Sequence, residues 1–435
     1  MNRVVTFGET RDLVRKAIRE AELPVGLEVW ILRDLIGRVS VLLPEPAAEP
    51  PEPIRRLVER LHSTLGAHAY PPERAILYLE PEDREELRSE AVIWEEEGVT
   101  IYFLDREISG RRWVTIAESE LAGPPRFVLF ALKGGLGRST TAAVLAAHLA
   151  RKGQRVLVLD FDLESPTLSS MLSPEEHPDF GLVEWLVEDL VDQAEVLVPD
   201  MIGRPAWSMD FTGEVMVVPA YGRRCREHLA QLGRAYLDKP PREVGGSPEK
   251  WVDRKWVDRV RRLVRSLEAH ASPDLVVMDS RSGLHDIAAA LIVGLQAQVL
   301  LFAVDSEPTW SGYRILFQHW AQNQAIRQVR ERLFLAAALV PPTAQEEYLR
   351  RFRQHAWDLF REWLYDEVPP GEPDGEWFSF DLMEEDAPHT PLPIYWERGL
   401  LAWPDLRSLE SGPVQSAYSE FLQRFERQLL PEAGL

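Results

Sequence analysis

The sequence predicts an α/β fold, a mostly parallel sheet with helices on both faces, preceded by a small α+β domain. Three observations predict it. After the breaker "AGPPR" (Ala122 to Arg126), continuous apolar runs alternate with helical segments, the pattern of parallel strands buried on both faces. A glycine-rich turn, "LKGGLGRST", stands between the first of these runs and a helix. Ahead of the breaker, two amphipathic helices and several strand-like runs make a unit of their own. The expected domains are residues 1–123 and 124–435.

In the first domain, Leu13, Val14, Ala17, Ile18 and Ala21 share one face of a helix over Thr10 to Ala21. The runs "EVWILRD" and "GRVSVLL" read as strands joined near Gly37. A proline-rich acidic connector, Leu43 to Pro53, leads to a helix with Ile54, Leu57, Val58 and Leu61 in register. Strands are expected again at "RAILYLE", "VTIYFL" and "RRWVTIA". The stretches "WILRDLIGRVSV" and "YFLDREISGRRWV" read as two similar hairpins, with Asp34 and Asp105 serving their turns. No catalytic constellation is visible in this domain, which leaves it as a place to dock a partner.

In the second domain, "RFVLFAL", "RVLVLDFD", "EVMVVPA", "DLVVMDS", "AQVLLFAVD" and "RLFLAAALV" read as strands. A helix over Ser139 to Lys152 turns Ala142, Leu145, Ala146 and Leu149 inward. Two inserts interrupt the alternation, Ser173 to Asp200 and Asp238 to Pro248. From Gln345 the chain reads as helical, with Leu349, Phe352, Leu359, Phe360 and Trp363 as a core stripe. An acidic loop (Val368 to Pro388) precedes a last helix, Val414 to Leu430, whose mixed charges favour packing over membrane anchoring.

Composition narrows the function classes. A length of 435 residues suggests roughly two to three domains. The net charge of −21, from 49 basic and 70 acidic residues, disfavours a nucleic-acid coat or an anionic membrane as the main partner. One basic run, "RVRRLVR" (Arg259 to Arg265), reads as the solvated face of an amphipathic helix, since Val260, Leu263, Val264 and Leu267 repeat at helical spacing. The lone Cys225 rules out an internal disulfide framework and cysteine-built metal clusters. The start "MNRVVTFGETRDL" has no signal-peptide core, and the longest apolar run, Leu291 to Val304, is too short to span a bilayer. A soluble, cytoplasmic protein is expected.

The turn "LKGGLGRST" carries the chemistry. A phosphate group needs converging backbone N–H donors, a chain able to curl around it, and the positive end of a helix. Gly134, Gly135 and Gly137 supply the curl, Ser139 stands where a hydroxyl binds magnesium, and Thr140 reaches a phosphate oxygen. The plain phosphate-loop motif fails twice, at Leu132 in place of its first glycine and at Arg138 in place of its lysine. Two carboxylates at i and i+2 on the end of "VLVLDFD", Asp160 and Asp162, point the same way and suit a hydrated Mg²⁺.

The run resembles the deviant phosphate loop K-G-G-x-G-K-[ST]-T of the ParA/MinD family of P-loop ATPases. The resemblance covers Arg126 to Asp405, continuing through "VLVLDFDLESP", "DLVVMDSRSGL" and "LLFAVDSEPTWSGYRIL" to "TPLPIYWERGLLAWPD", which is similar to the family's proline-rich final loop. It implies ATP and Mg²⁺ as cofactors, an ATP-dependent homodimer, slow hydrolysis that signals to a protein partner, and a bacterial setting. In that family the early lysine, here Lys133, reaches across the dimer to the partner's nucleotide. The second aspartate, here Asp162, orients the attacking water. Magnesium falls to Ser139, Asp160 and Asp279, and Gly283 becomes a backbone donor near the terminal phosphate. Arg138 keeps the charge of the missing lysine but is planar and larger, so binding is retained while fast hydrolysis is in doubt. Arg281 is left open between phosphate, a partner and the plain surface.

In "LLFAVDSEPTWSGYRIL", Asp305, Ser306, Glu307, Pro308 and Ser311 occupy the region where the family reads Thr-Pro-Glu-x-x-Ser. The asparagine that often meets adenine is missing after "LAAALVPPT", which assigns the base to backbone groups around Val340 to Thr343. Trp357, Trp363, Trp396 and Trp403 read as core. The alternative to a switch ATPase is a nucleotide-binding scaffold or sensor with little turnover, of the pilus-positioning or phage-defence kind. Its first domain would then do the docking. A substrate-activating ligase would need acid and base groups that the sequence does not show.

Overall fold

Two units, Met1–Arg111 and Arg112–Leu435, each close around a sheet of their own. The computed structural model describes residues 5–43, 50–79, 84–106, 113–114, 123–172, 177–239, 243–244, 247–248, 255–368, 377–401 and 412–430.

The first unit runs α1 (Thr10–Glu20), β1 (Glu28–Arg33), β2 (Val39–Leu43), α2 (Glu52–Leu65), β3 (Ile76–Tyr78), α3 (Arg84–Glu90), β4 (Val92–Glu96) and β5 (Val99–Asp105). The sheet order is β3-β2-β1-β5-β4, with β1 antiparallel to β2 and parallel to β5. Alternation along β1 sends Val29 and Ile31 to the face covered by Val14 and Ile18 of α1 and Leu57 and Leu61 of α2. Trp30 goes to the opposite face and stacks on Tyr102 at 4.3 Å.

Of the two expected hairpins only β1–β2 forms. The strand β5 has β1 on one edge and β4 on the other, so no later strand can pair with it. Most of "RRWVTIA" lies outside the described residues. The two aspartates also part company. Asp34 serves its turn, accepting from the N–H groups of Ile36 (3.0 Å) and Arg38 (2.9 Å). Asp105 ends a strand and accepts from Nε of the buried Arg33 (2.8 Å), its register partner on β1. Neither α3 nor β4 was visible in the sequence, because "REELRSE" offers a single apolar residue and "VIWEE" ends in two glutamates.

The second unit runs β6 (Arg126–Ala131), α4 (Arg138–Arg151), β7 (Arg155–Phe161), α5 (Leu168–Leu172), α6 (Leu182–Glu188), β8 (Glu214–Val218) and α7 (His228–Ala235). A short ladder of β9 (Glu243–Val244) and β10 (Ser247–Pro248) follows, then α8 (Trp256–Ala271), β11 (Leu275–Ser280), α9 (Asp286–Ala289) and β12 (Gln298–Ala303). The chain closes with α10 (Glu307–Gln322), α11 (Ile326–Val329), β13 (Leu333–Val340), α12 (Gln345–Trp363), β14 (Leu392–Tyr395) and α13 (Gly412–Leu429).

Its seven-stranded sheet has the order β14-β13-β12-β6-β11-β7-β8, and every pairing in it is parallel. Alternation divides each strand between two cores. Val128 and Phe130 of β6 pack with residues of α6, α8, α10 and α12, whereas Phe127 and Leu129 pack with α4 and α13. Ala142, Ala143, Ala146, Ala147 and Ala150 of α4 are fully buried, because this helix is enclosed between the sheet and α13. The buried Phe425 of α13 packs on Phe127 of β6, ring centroids 5.0 Å apart, while Glu426 bonds His148 of α4 at 2.9 Å. The central strand β6 therefore delivers its following turn to the carboxyl edge of the sheet, between neighbours on both sides.

Two expectations change here. The basic run on α8 is not a solvated face: Arg259 is fully buried, donating from Nε to Asp189 (2.7 Å), and Arg261 donates to the Gly294 carbonyl (2.9 Å). These arginines hold loops to the helix. The proline-rich segment expected as a final loop instead forms the edge strand β14 and a 3₁₀ turn, Arg398–Leu401. Among the described residues no helix is long and apolar enough to cross a membrane.

Candidate functional site

Between β6 and α4 the chain makes a tight curl. Gly135 and Gly137 hold φ angles of +80° and +81°, a left-handed conformation that a Cβ opposes. Gly137 caps α4, its carbonyl accepting from the Thr141 N–H at 2.8 Å. Parallel register then sets Asp279 on β11 directly beside Asp160 on β7. Three acidic side chains and one arginine are thereby gathered at the start of α4.

Arg138 is the centre of this charge cluster. Its side chain is only 7% exposed, with Nη2 3.8 Å from Asp162 Oδ2 and Nη1 3.5 Å from Asp279 Oδ1. Neither Nη1 nor that Oδ1 has a hydrogen-bond partner among the described residues. The Ser139 hydroxyl donates to the other oxygen of Asp279. Burial pushes Asp279 up to about 6, against the pull of Arg138 and Ser139. Burial, and then the charge of Asp279, pushes Asp160 up to about 7. Asp162 is also raised by burial, with Arg138 opposing.

A cavity of about 490 Å³ opens beside the curl. Its polar wall is the run Gly134, Gly135, Gly137, Arg138, Ser139 and Thr140, joined by Asp162, Ser165, Thr167 and Ser282. Leu339, Ile394, Trp396, Leu400 and Tyr418 make the rest mostly apolar, with Glu397 among them. Tyr418 links the two walls, since its hydroxyl lies 3.1 Å from Thr141 Oγ1 in the first turn of α4.

Other expected site residues stand back from the cavity. Asp160 is fully buried and committed: Oδ2 accepts from the N–H and hydroxyl of Ser169, both at 3.0 Å, and Oδ1 from the Asp162 N–H at 3.3 Å. It orders the Asp162 turn. Gly283 donates its N–H to the Ala131 carbonyl (2.8 Å), so this group is a strut to β6 and not a spare phosphate donor. Asp279 reaches the cavity wall through Ser139 and Arg138. Lys133 is exposed and has no partner among the described residues.

Arg281 pairs with Glu164 (2.5 Å). Asp305 is occupied by Trp310, Arg351 and His355, tying α12 to the end of β12.

The residues that sequence reasoning missed line the apolar wall. Trp396, read as core, is 41% exposed and faces the cavity. At the start of the Val340 to Thr343 stretch, whose backbone groups were expected to meet the base, the Val340 carbonyl accepts from the Trp396 N–H at 2.8 Å. Leu339 stands at φ +54°, at the register shift between β13 and β14, which turns it into the wall. A usable signal did exist, the "IYWERGLL" stretch with an aromatic pair beside a charge. Trp403 lies outside the described residues.

Residues 127–309 match the "CobQ/CobB/MinD/ParA nucleotide binding domain" family. The iron-sulfur cluster carrier protein of Pseudomonas fragi is 39% identical over 79 residues, 18% of this chain and 25% of that protein. The chromosome-partitioning ATPase Soj of Thermus thermophilus is 39% identical over 85 residues, 18% of this chain and 34% of that protein. The aligned stretch thus spans about a third or less of these relatives. A solved ParA family ATPase from Chlorobium tepidum aligns over 69% of this chain and 99% of its own, at 13% identity and a TM-score of 0.42. From residue 127 to residue 309, the chain is thus similar to the nucleotide-binding domains of the CobQ/CobB/MinD/ParA family.

Proposed function

We propose that this chain is a nucleotide switch. It binds ATP with Mg²⁺, pairs with a second copy in the ATP state, and signals to a protein partner by slow hydrolysis. The observation that carries the reading is the polar wall, in which the curl at Gly134 to Thr140 meets Asp162 and, through Ser139, Asp279.

The residues present fit a bound cation. Asp279 Oδ1 is a buried acceptor without a hydrogen bond, and the Ser139 hydroxyl lies on the same carboxylate. Ser139 and Asp279 would hold Mg²⁺, which when bound neutralises charge on the phosphate oxygens. The N–H groups of the curl bind the phosphates and fix their direction. Asp162, at the cavity wall, holds the attacking water, and Asp160 keeps its turn in place. The exposed Lys133 is free to meet a second copy's nucleotide. The apolar wall, with Trp396 as its flat face, excludes water from the base.

Gel filtration of the full chain with ATP tests this reading. Asp162→Ala should trap an ATP-dependent dimer and Lys133→Ala should prevent it. If neither wild type nor Asp162→Ala changes size with ATP, the switch fails.

A second reading, a nucleotide-binding scaffold with little turnover, is favoured by Arg138. Its guanidinium is drawn toward Asp162 and Asp279 and buried, whereas a lysine in its place would be a flexible point charge. Phosphate release no faster than buffer, with ATP still bound, would select it.

A further inference from the structure

The proposed function leaves Arg281 unused, and its contacts set it apart from an ordinary surface arginine. It stands at the mouth of the loop after β11, immediately before Ser282 of the cavity wall. Glu164 stands in the loop after β7, two residues beyond Asp162 of the same wall. Arg281 Nη1 lies 2.5 Å from Glu164 Oε1. The Tyr236 hydroxyl, just past the end of α7, donates to that same oxygen at 2.5 Å. Glu164 Oε2 has no hydrogen-bond partner among the described residues, so the carboxylate hangs on one oxygen. From the start of α7, His228 Nε2 reaches the carbonyl of Leu163 at 3.1 Å.

We propose that Arg281, Glu164 and Tyr236 form a latch that joins the two loops of the cavity wall, with Arg281 a positioning residue for Asp162. The helix α7 holds the segment Leu163–Glu164 by main chain and side chain at once. Tyr236 is itself fixed, its ring 5.6 Å from Trp256 and 5.5 Å from His285. Two donors on one partly buried oxygen support each other, and losing either leaves the carboxylate poorly satisfied. A movement of the Asp162 loop must therefore carry Glu164 against Arg281 and Tyr236, or break the latch. The two loops open together.

The latch rests on the nucleotide reading only for its consequence, so its first test uses no nucleotide. Hydrogen exchange is measured on the full chain, comparing wild type with Arg281→Gln, Tyr236→Phe and the reversed pair Glu164→Arg with Arg281→Glu. The expected result is exchange about fivefold faster at residues 162–167 in both single variants, with β7 and α4 unchanged, and a return toward wild type in the reversed pair. Unchanged exchange, or a rise spread over the whole unit, overturns the latch.

Release of a fluorescent ATP analogue is measured next. Arg281→Gln should speed it several-fold and the reversed pair should slow it again. Faster exchange with unaltered release overturns the positioning role. If wild type binds no analogue while the exchange result holds, the latch stands and the ATP reading falls.

Discussion

The two walls of the cavity are built on different terms. The polar wall comes mostly from one contiguous turn, Gly134 to Thr140, with Asp162 and Ser282 added from two neighbouring strand ends. The apolar wall is assembled from the end of β13, from β14, from a 3₁₀ turn and from α13, with no short motif among them. Phosphate recognition demands particular backbone angles and particular oxygens, so residue types and spacing are constrained. Covering a base demands flat or branched apolar area, which many residues can supply from anywhere nearby. The polar wall should therefore fail abruptly when altered, and the apolar wall by degrees.

Among changes that leave the backbone of the turn alone, the largest effect is expected from Asp279→Asn. It removes the negative charge beside Arg138 and turns one carboxylate oxygen into an amide donor, so Mg²⁺-dependent ATP affinity should fall on the order of a hundredfold. Titration calorimetry with and without Mg²⁺ measures it. A loss equal in both conditions would mean general damage and would break the distinction between the walls.

A smaller effect is expected from Trp396→Ala. Losing one aromatic face against a base costs about 1–3 kcal/mol, roughly tenfold or somewhat more in affinity. Competition between ATP and inorganic triphosphate separates base from phosphate contributions, and only ATP should weaken. Equal weakening of both would place the base elsewhere.

The smallest effect is a control at a residue that does not line the cavity. Burial pushes His389 down to about 4. Its Nε2 reaches the Leu382 carbonyl at 3.1 Å and its Nδ1 faces the Tyr365 hydroxyl at 2.6 Å, an arrangement suited to the neutral ring. The depressed value means that this group's stabilising contribution is present above pH 6.5 and is lost as pH falls through 4. Thermal melts from pH 7 to pH 4 should drop less for His389→Gln than for wild type. ATP affinity at pH 7 should differ little between them.

What the sequence made legible follows the same division. The parallel strands were readable because full burial on both faces writes apolar runs such as the "VLVL" of β7, and the curl was readable because glycine takes its angles most readily. The edge strand β14 was not, since four residues containing a proline carry no periodicity. For Asp160 the fold adds contacts that spacing alone does not show. Spacing at i and i+2 set it on the same side as Asp162, but the chain turns after Phe161 and Ser169 claims its carboxylate. Arg259 was read as surface because a basic run on an amphipathic helix usually is, and only the fold brings Asp189 beneath it.

The central claim is that this cavity holds ATP by its polar wall. Calorimetric titration of the full chain with ATP and Mg²⁺, set beside Gly137→Val, tests it most directly. The account predicts one ATP per chain for wild type and no measurable binding for the variant, whose Cβ would oppose the +81° φ at the cap of α4. Absence of heat in the wild type, or equal affinity in a folded Gly137→Val, would contradict it.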